Sequence, residues 1–230
     1  MGREFEVRRE VDLPGTPEQV WEAISTEAGL ASWLFPEGVG EGVQAWEPPH
    51  HLAVRVEGEG WFNALEYTVE GRAGGATLRY VHSGIFDDAG WEDQYDAVSQ
   101  HTDFYLHTLG QYLAHFAPRT ASYVGDVPGG ISGPEASMAP DGFDRLKAAL
   151  GIDSAAEGDR VAVDIGGPVE GVVDYARGSF VGIRTGDGLY RFFGRNAFGG
   201  PVALALHDFG GGDAAQRKQA LQTWLNDIYE

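Results

Sequence analysis

Cysteine is absent from this 230-residue chain, and basic residues are few. Without cysteine the chain has no disulfide framework and no thiolate chemistry. The sequence has 16 Lys and Arg against 35 Asp and Glu, which gives a formal charge of −19. Because nucleic-acid binding needs clustered Lys and Arg, we expect no nucleic-acid partner, and we interpret the acidity as a contribution to solubility.

Long apolar runs are lacking as well. No stretch approaches the roughly 18 apolar residues of a membrane span, and no basic segment followed by an apolar one opens the sequence. We therefore expect no membrane span and a cytoplasmic location. The apolar content, 43% of residues, is ordinary for a globular protein, and the length suits one large or two small domains.

The clearest local pattern lies near the amino terminus, in the segment 16–33. Thr16 predicts an N-cap, Pro17 suits the first helical position, and Gln19 completes a capping box. Before this helix, apolar residues alternate with charged ones over 5–13, which is typical of a half-buried strand. The sequence therefore predicts a strand, a capped helix and a second short helix.

Further strands and one long helix are predicted downstream. The strands lie near 43–46, 52–57, 61–70 and 75–82. Glycines mark short turns between them, so neighbouring strands must be antiparallel. From Trp91 to Phe116, apolar and aromatic residues recur at steps of three or four, which indicates one long amphipathic helix capped by Asp87 or Asp88.

The segment 17–33 resembles the start of the SRPBCC superfamily, also called START-like or Bet v 1-like. Within that superfamily it is most similar to the bacterial branch named after the activator of Hsp90 ATPase. The passage 46–52 and the helix 91–116 are similar to later parts of such domains, so the resemblance covers roughly residues 3–118. It implies an α+β helix-grip fold, in which a curved antiparallel sheet grips a long carboxy-terminal helix.

Three parts are predicted in chain order. They are a START-like domain at 1–118, shortened after Trp33, a linker at 119–140, and a smaller α+β domain at 141–230 that ends in a helix. The loop after Trp33 replaces a strand that such domains usually carry, which predicts a narrower sheet and a smaller or more open cavity. Glycine and proline without apolar periodicity define the linker.

A faint internal echo links the two halves. Gly74-Gly75 precedes His82, and Gly199-Gly200 precedes His207 at the same interval, each time along an apolar strand. One interpretation is that the second half is a degenerate copy of the first that lacks the early strand and the capped helix pair. The other is chance recurrence of common glycine turns.

No catalytic or metal-binding pattern in the sequence is specific. His50 and His51 are adjacent, so they point to opposite faces of an extended chain. The three histidines of the long helix, at 101, 107 and 115, lack the four-residue step of a helical zinc pair. Nucleotide-binding fingerprints are missing too. The sequence therefore predicts no catalytic residue, no metal and no cofactor.

The cavity between sheet and helix is the remaining candidate site, since such concave spaces are typical small-molecule sites. Arg9 shares the alternation of the apolar positions in the first strand, so it is expected to point inward and to need a carboxylate or a ligand anion. Aromatic and hydroxyl-bearing residues supply the other candidates. The full set is Arg9, Trp33, Phe35, Trp61, Tyr67, Tyr80, His82, Thr102 and Tyr105.

Three functions remain open at this point. The favoured one is non-enzymatic binding of a hydrophobic or amphipathic small molecule in the cavity. The alternative is a chaperone-associated or other protein-interaction module, with a protein partner or a homodimer, and only the resemblance suggests it. The third is a cyclase-, hydrolase- or dehydratase-type enzyme, which a polar pair within hydrogen-bond reach inside the cavity would favour.

Overall fold

The structure is a computed structural model that describes residues 2–36, 39–87, 89–130 and 134–230. The chain forms two compact units, Met1–Thr120 (unit 1) and Ala121–Glu230 (unit 2). Each unit contains one antiparallel sheet and several helices. Within the described ranges, no helix is both long and apolar enough to cross a membrane.

Unit 1 has the architecture that the resemblance implies. Its elements are β1 (Gly2–Leu13), α1 (Pro17–Ser25), α2 (Glu27–Ala31), β2 (Val43–Glu47), β3 (His51–Gly58), β4 (Trp61–Arg72), β5 (Gly75–Asp87) and α3 (Trp91–His115). The sheet order is β1-β5-β4-β3-β2, so the first strand lies beside the last. The long helix α3 packs mainly against β1. The predicted fold class, an α+β sheet with a long helix across it, is confirmed.

The capping box of α1 is confirmed. The Thr16 hydroxyl accepts a hydrogen bond from the Gln19 backbone N–H at 3.3 Å, and the Gln19 side chain accepts one from the Thr16 N–H at 2.9 Å. The helix buries Ile24 and also provides the Ala23 carbonyl, to which the Trp33 indole N–H donates at 2.9 Å. This bond fixes the chain after α2 against α1.

The start of α3 differs from the prediction. The residue before the helix is Gly90, with a left-handed φ of 72°, and no side chain caps the helix. Asp87 is the last residue of β5 instead, and Asp88 lies outside the described residues. The Gln94 side chain donates to the carbonyls of Asp87 and Ala89 at 3.3 and 3.1 Å. These bonds stabilise the turn between β5 and α3.

Unit 2 is also an antiparallel sheet with helices. Its elements are β6 (Ser122–Pro128), α4 (Glu135–Met138), α5 (Gly142–Leu150), β7 (Arg160–Asp164), β8 (Pro168–Arg177), β9 (Phe180–Arg184), β10 (Gly188–Phe193), β11 (Ala203–Asp208) and α6 (Ala214–Tyr229). The sheet order is β6-β11-β10-β9-β8-β7. As in unit 1, the first strand lies beside the last, and the final helix packs against the first strand.

The segment 119–140, predicted as a linker, contains regular structure. Ser122–Pro128 pairs with β11, and Glu135–Met138 is helical. The linker prediction was wrong here because it took Gly125 as a sign of irregular chain, whereas this glycine allows close packing within a strand. A Cβ at Gly125 would lie 1.9 Å from the Tyr123 ring, so this glycine does not mark a turn.

This correction changes the comparison of the two halves. With β6, α4 and α5, unit 2 has an early strand and a pair of short helices, which the sequence comparison expected to be missing. The order of elements in unit 2 therefore repeats that of unit 1, with one strand more.

Side chains pack closely in the core of unit 2. Ile183, Phe192 and Leu204 point from three neighbouring strands into one buried cluster, where Leu146 of α5 and Leu225 of α6 join them. All five are buried. The helices of unit 2 are thus held on the sheet by direct apolar contacts.

Candidate functional site

A cavity of about 250 Å³ lies between β4, β5 and α3 of unit 1. Thirteen described residues line it: Asn63, Leu65, Tyr67, Tyr80 and His82 from the strands, Val98, His101, Thr102, Tyr105 and Leu106 from α3, and Trp33, Leu34 and Phe35 from the segment after α2. The cavity is partly open to solvent. Among its lining residues, Phe35 is 36% exposed, whereas Trp33 is 2% exposed.

The strand side of the cavity follows from alternation and register. Asn63, Leu65 and Tyr67 are two residues apart on β4, so they share one face of the sheet. In the adjacent strand, Tyr80 lies opposite Tyr67 and His82 lies opposite Leu65. The side chains therefore form two parallel rows that face the helix.

The helix side follows from helical spacing. Val98, Thr102 and Tyr105 are separated by four and three residues, which places them on one face of α3. His101 lies beside this row, and its Nδ1–H donates to the Ala97 carbonyl at 2.8 Å. Residues from one helix and two strands thus meet around one space.

Two buried tyrosines form the inner wall. Tyr67 is 4% exposed and Tyr80 is 9% exposed, and their rings meet edge to face at 5.2 Å. Burial raises the pKa of both phenols above the ordinary value, while hydrogen bonding with Thr102 partly opposes this for the Tyr80 pKa. Both side chains are therefore neutral hydroxyls near pH 7.

His82 is the best-defined polar group of the cavity. Its Nε2–H donates to the Asn63 side-chain oxygen at 2.7 Å, and its ring packs edge-on to Phe5 at 5.1 Å. Burial lowers the pKa of His82 to about 4, so the imidazole is neutral near pH 7. This is a polar pair within hydrogen-bond reach. However, an amide oxygen cannot exchange a proton, and an imidazole with so low a pKa is a weak base, so the pair does not favour acid–base chemistry.

Seven of the nine candidates from the sequence lie around this cavity. They are Trp33, Phe35, Tyr67, Tyr80, His82, Thr102 and Tyr105. Their role in binding a ligand remains a prediction.

Arg9 lies outside this cavity. It points towards α3 as its alternation predicted, but its guanidinium donates to both carboxylate oxygens of Asp103, at 2.5 and 3.0 Å, and to Ser99 at 2.9 Å. A protein carboxylate is therefore the partner that the inward-pointing arginine needed. The pair links β1 to α3.

Trp61 also lies outside the cavity. Alternation places it on the same face as Asn63, but it begins β4 at the turn from β3 and is 46% exposed. Its indole covers Gly58, where a Cβ would collide with the ring. Alternation along a strand identifies the face, whereas the helix decides how far along that face the cavity extends.

Sequence reasoning missed six of the lining residues: Leu34, Asn63, Leu65, Val98, His101 and Leu106. Asn63 and Leu65 share the alternation of Tyr67, and Val98 and Leu106 lie four residues to either side of Thr102, so four of the six carried a usable signal. Nothing in the sequence distinguished His101.

No protein-family model matches the chain, and no curated protein matches it either. Similar solved structures do exist. MLL2253 from Mesorhizobium loti is 18% identical over 49% of this chain and 98% of that chain, with a TM-score of 0.42. The Aha1 dimer from Colwellia psychrerythraea is 16% identical over 47% and 96%, with a TM-score of 0.39.

A third similar structure spans both units. DynU16, described as a putative protein in the dynemicin biosynthetic locus, is 18% identical over 97% of this chain and 95% of that chain, with a TM-score of 0.40. The similar structures include Aha1 and AHSA1-like proteins. The fold assignment itself rests on the strand order and the helix of this chain, since each TM-score is below 0.5.

Proposed function

We propose that unit 1 binds a hydrophobic small molecule in the cavity between its sheet and α3. The observation that carries this proposal is the cavity itself, about 250 Å³ with mainly apolar and aromatic walls. Protein interiors are normally close-packed, with few voids larger than a water molecule. A concave apolar space with a few polar groups is the usual form of a small-molecule site.

The size of the cavity limits the ligand. An engineered apolar cavity of about 150 Å³ in another protein holds benzene. By that measure, 250 Å³ suits a molecule of one or two rings. A long lipid chain or a polyketide of four fused rings exceeds this volume, so part of it would extend out of the cavity into solvent. We therefore expect a compact ligand.

Native mass spectrometry and a thermal-shift screen test the proposal. The full chain is isolated from its own host without denaturation, and its mass is compared with the sequence mass; the purified chain is then screened against aromatic compounds of one and two rings. We expect a bound small molecule or a compound that raises the midpoint of unfolding. Absence of both would count against ligand binding.

A pair of variants locates the binding. Val98→Phe adds volume inside the cavity, whereas Val56→Phe adds the same volume at a β3 residue that is 47% exposed. We expect Val98→Phe to remove the thermal shift because the new ring occupies the ligand space. The control variant should keep it, and an equal loss in both variants would contradict binding in this cavity.

A second candidate, a protein-interaction module, is supported by exposed apolar side chains on β2 to β4. Val43, Trp46, Val56 and Trp61 are each 40–48% exposed. Exposed apolar clusters are typical of protein-binding surfaces. Sedimentation velocity tests the homodimer form: association that Val56→Ser and Trp61→Ser both weaken supports it, and a monomer at every concentration contradicts it.

A further inference from the structure

Besides the His82–Asn63 pair, the lining of this cavity includes the hydroxyl of Tyr67. Tyr67 is 4% exposed and lines the cavity. Among the described residues, none makes a hydrogen bond with its hydroxyl, and desolvation is the sole cause of its pKa shift. Polar groups of proteins are almost always hydrogen-bonded, so this hydroxyl is available to water or to a molecule bound in the cavity.

The protonation state of Tyr67 determines which partner fits. The phenol keeps its proton near pH 7 and can donate, since the ordinary pKa of tyrosine is about 10 and burial raises it further. For Tyr80, interaction with the Thr102 side chain partly opposes the rise in pKa that burial causes. Tyr67 therefore offers an O–H donor to an acceptor in the cavity.

Charge limits the partner further. Among the described residues that line the cavity, none is Asp, Glu, Lys or Arg. His82 is neutral near pH 7 because burial lowers its pKa to about 4. Moving a carboxylate or an ammonium group into such a space costs several kcal/mol when no opposite charge is present. The formal charge of −19 adds a long-range repulsion against anions.

The shape of the walls favours flat molecules. Trp33, Phe35, Tyr67, Tyr80 and Tyr105 contribute aromatic rings to the lining. Aromatic rings pack well against other rings, either stacked with an offset or edge to face. With a volume of about 250 Å³, the space suits one or two fused rings.

We propose that the cavity selects a neutral aromatic molecule of one or two rings that carries a carbonyl group, and that this carbonyl accepts a hydrogen bond from the Tyr67 hydroxyl. The inference rests on the proposed function, because it names the ligand class of the same cavity. It adds the discrimination between neutral and charged ligands and the residue that provides the polar contact.

Isothermal titration of the full chain near pH 7 tests this with three probes of similar size. They are naphthalene, the ketone 2-acetonaphthone and the anion 2-naphthoate. We expect the ketone to bind about five- to tenfold more tightly than naphthalene, which is the typical gain from one buried hydrogen bond. The anion should bind at least tenfold more weakly than the ketone.

Two variants assign the gain to one hydroxyl. Tyr67→Phe should remove the advantage of the ketone and leave naphthalene binding unchanged within twofold. Tyr95→Phe removes a hydroxyl of α3 outside the cavity, so it should keep the full advantage. Thermal unfolding of each variant verifies that it folds. If Tyr67→Phe does not fold, the ranking of the three probes on the unchanged protein decides the matter.

The outcomes separate this inference from the proposed function. If naphthalene binds but the ketone gains nothing, or the gain survives in Tyr67→Phe, the preference for a carbonyl is overturned and ligand binding stands. Tightest binding of 2-naphthoate overturns the preference for neutral ligands. If none of the three probes binds the unchanged protein, both proposals fail.

Discussion

Units 1 and 2 share an order of elements but use the space between sheet and helix differently. In both, an early strand and two short helices precede an antiparallel sheet, and a final helix packs against the first strand. In unit 1 this space includes a cavity of about 250 Å³. In unit 2 the corresponding faces meet in a continuous apolar cluster.

The last strand of each sheet shows how side chains produce this difference. In β5, Tyr80 and His82 face the helix side and line the cavity. In β11, Leu204 and Leu206 are part of the core cluster, so His207 faces the other side of the sheet. His82 and His207, which the sequence comparison aligned, therefore lie on equivalent strands but on opposite faces of their sheets.

The ion pairs of the two units differ in burial. The Arg9–Asp103 pair of unit 1 has side chains that are 28% and 45% exposed. The Arg191–Asp174 pair of unit 2 has side chains that are 1% and 3% exposed. The two terminal nitrogens of the guanidinium donate to the two carboxylate oxygens at 2.8 and 2.9 Å. Gly182 lies between them on β9, where a Cβ would be 2.3 Å from Arg191.

The largest effect is expected from breaking the buried pair. Asp174→Ala leaves the buried Arg191 without this carboxylate, so we expect the free energy of unfolding to fall by about 3–5 kcal/mol. Asp103→Ala breaks the half-exposed pair of unit 1 and should cost about 1 kcal/mol or less. Urea denaturation of both variants measures the difference.

A double variant serves as the control for this prediction. Asp174→Leu combined with Arg191→Met removes both charges and keeps apolar volume, so it should recover most of the loss. Equal losses from Asp174→Ala and Asp103→Ala would show that burial does not separate the two pairs.

A smaller effect is expected from truncating one leucine in each unit. Leu204→Ala opens a new void in the packed cluster of unit 2 and should cost about 3 kcal/mol. Leu65→Ala truncates a partly buried side chain beside a space that already exists, so we expect about 1 kcal/mol. Guanidinium denaturation compares them. Equal costs would contradict the view that only unit 1 is loosely filled at these positions.

The smallest effect concerns pH. Because the folded pKa of His82 is about 4, below its ordinary value of 6.5, the unfolded chain binds the proton first as the pH falls. The contribution of His82 to stability is therefore complete above pH 6.5 and is lost progressively towards pH 4. Since His82 is partly exposed, we expect on the order of 1 kcal/mol.

The variant His82→Gln provides the comparison for this pH effect. It cannot titrate in this range, so its stability should decline less between pH 6.5 and pH 4 than that of the unchanged protein. Thermal unfolding at several pH values measures both curves. Parallel curves would show that His82 is not desolvated in the folded state.

Much of the fold followed from local patterns. The capping box at Thr16 predicted α1, and the steps from Trp91 predicted α3, because both signals lie within a few residues of the structure they specify. The strand β6 was missed, since its few buried apolar residues, Val124 and Val127, lie among glycines and prolines. Pairing with β11, which is distant in sequence, is what makes it a strand.

The candidate site was predictable by face but not by extent. Alternation placed Tyr67, Tyr80 and His82 on the inner side, and the structure puts them around one cavity. Alternation also placed Arg9 and Trp61 on the inner side, but neither lines the cavity. Arg9 is bound by Asp103, and Trp61 lies at the end of a strand beyond the cavity.

By itself the sequence determined the order of most elements, the amphipathic faces and the excess of negative charge, because these depend on residue identity and short spacing. Tertiary structure alone decided that Tyr67 lines a cavity, that His82 is desolvated, and that Arg9 meets Asp103 across 94 positions of sequence. Whether a helix-covered sheet is filled or hollow depends on how side chains from distant strands and helices fit together. That fit is a property of packing in three dimensions.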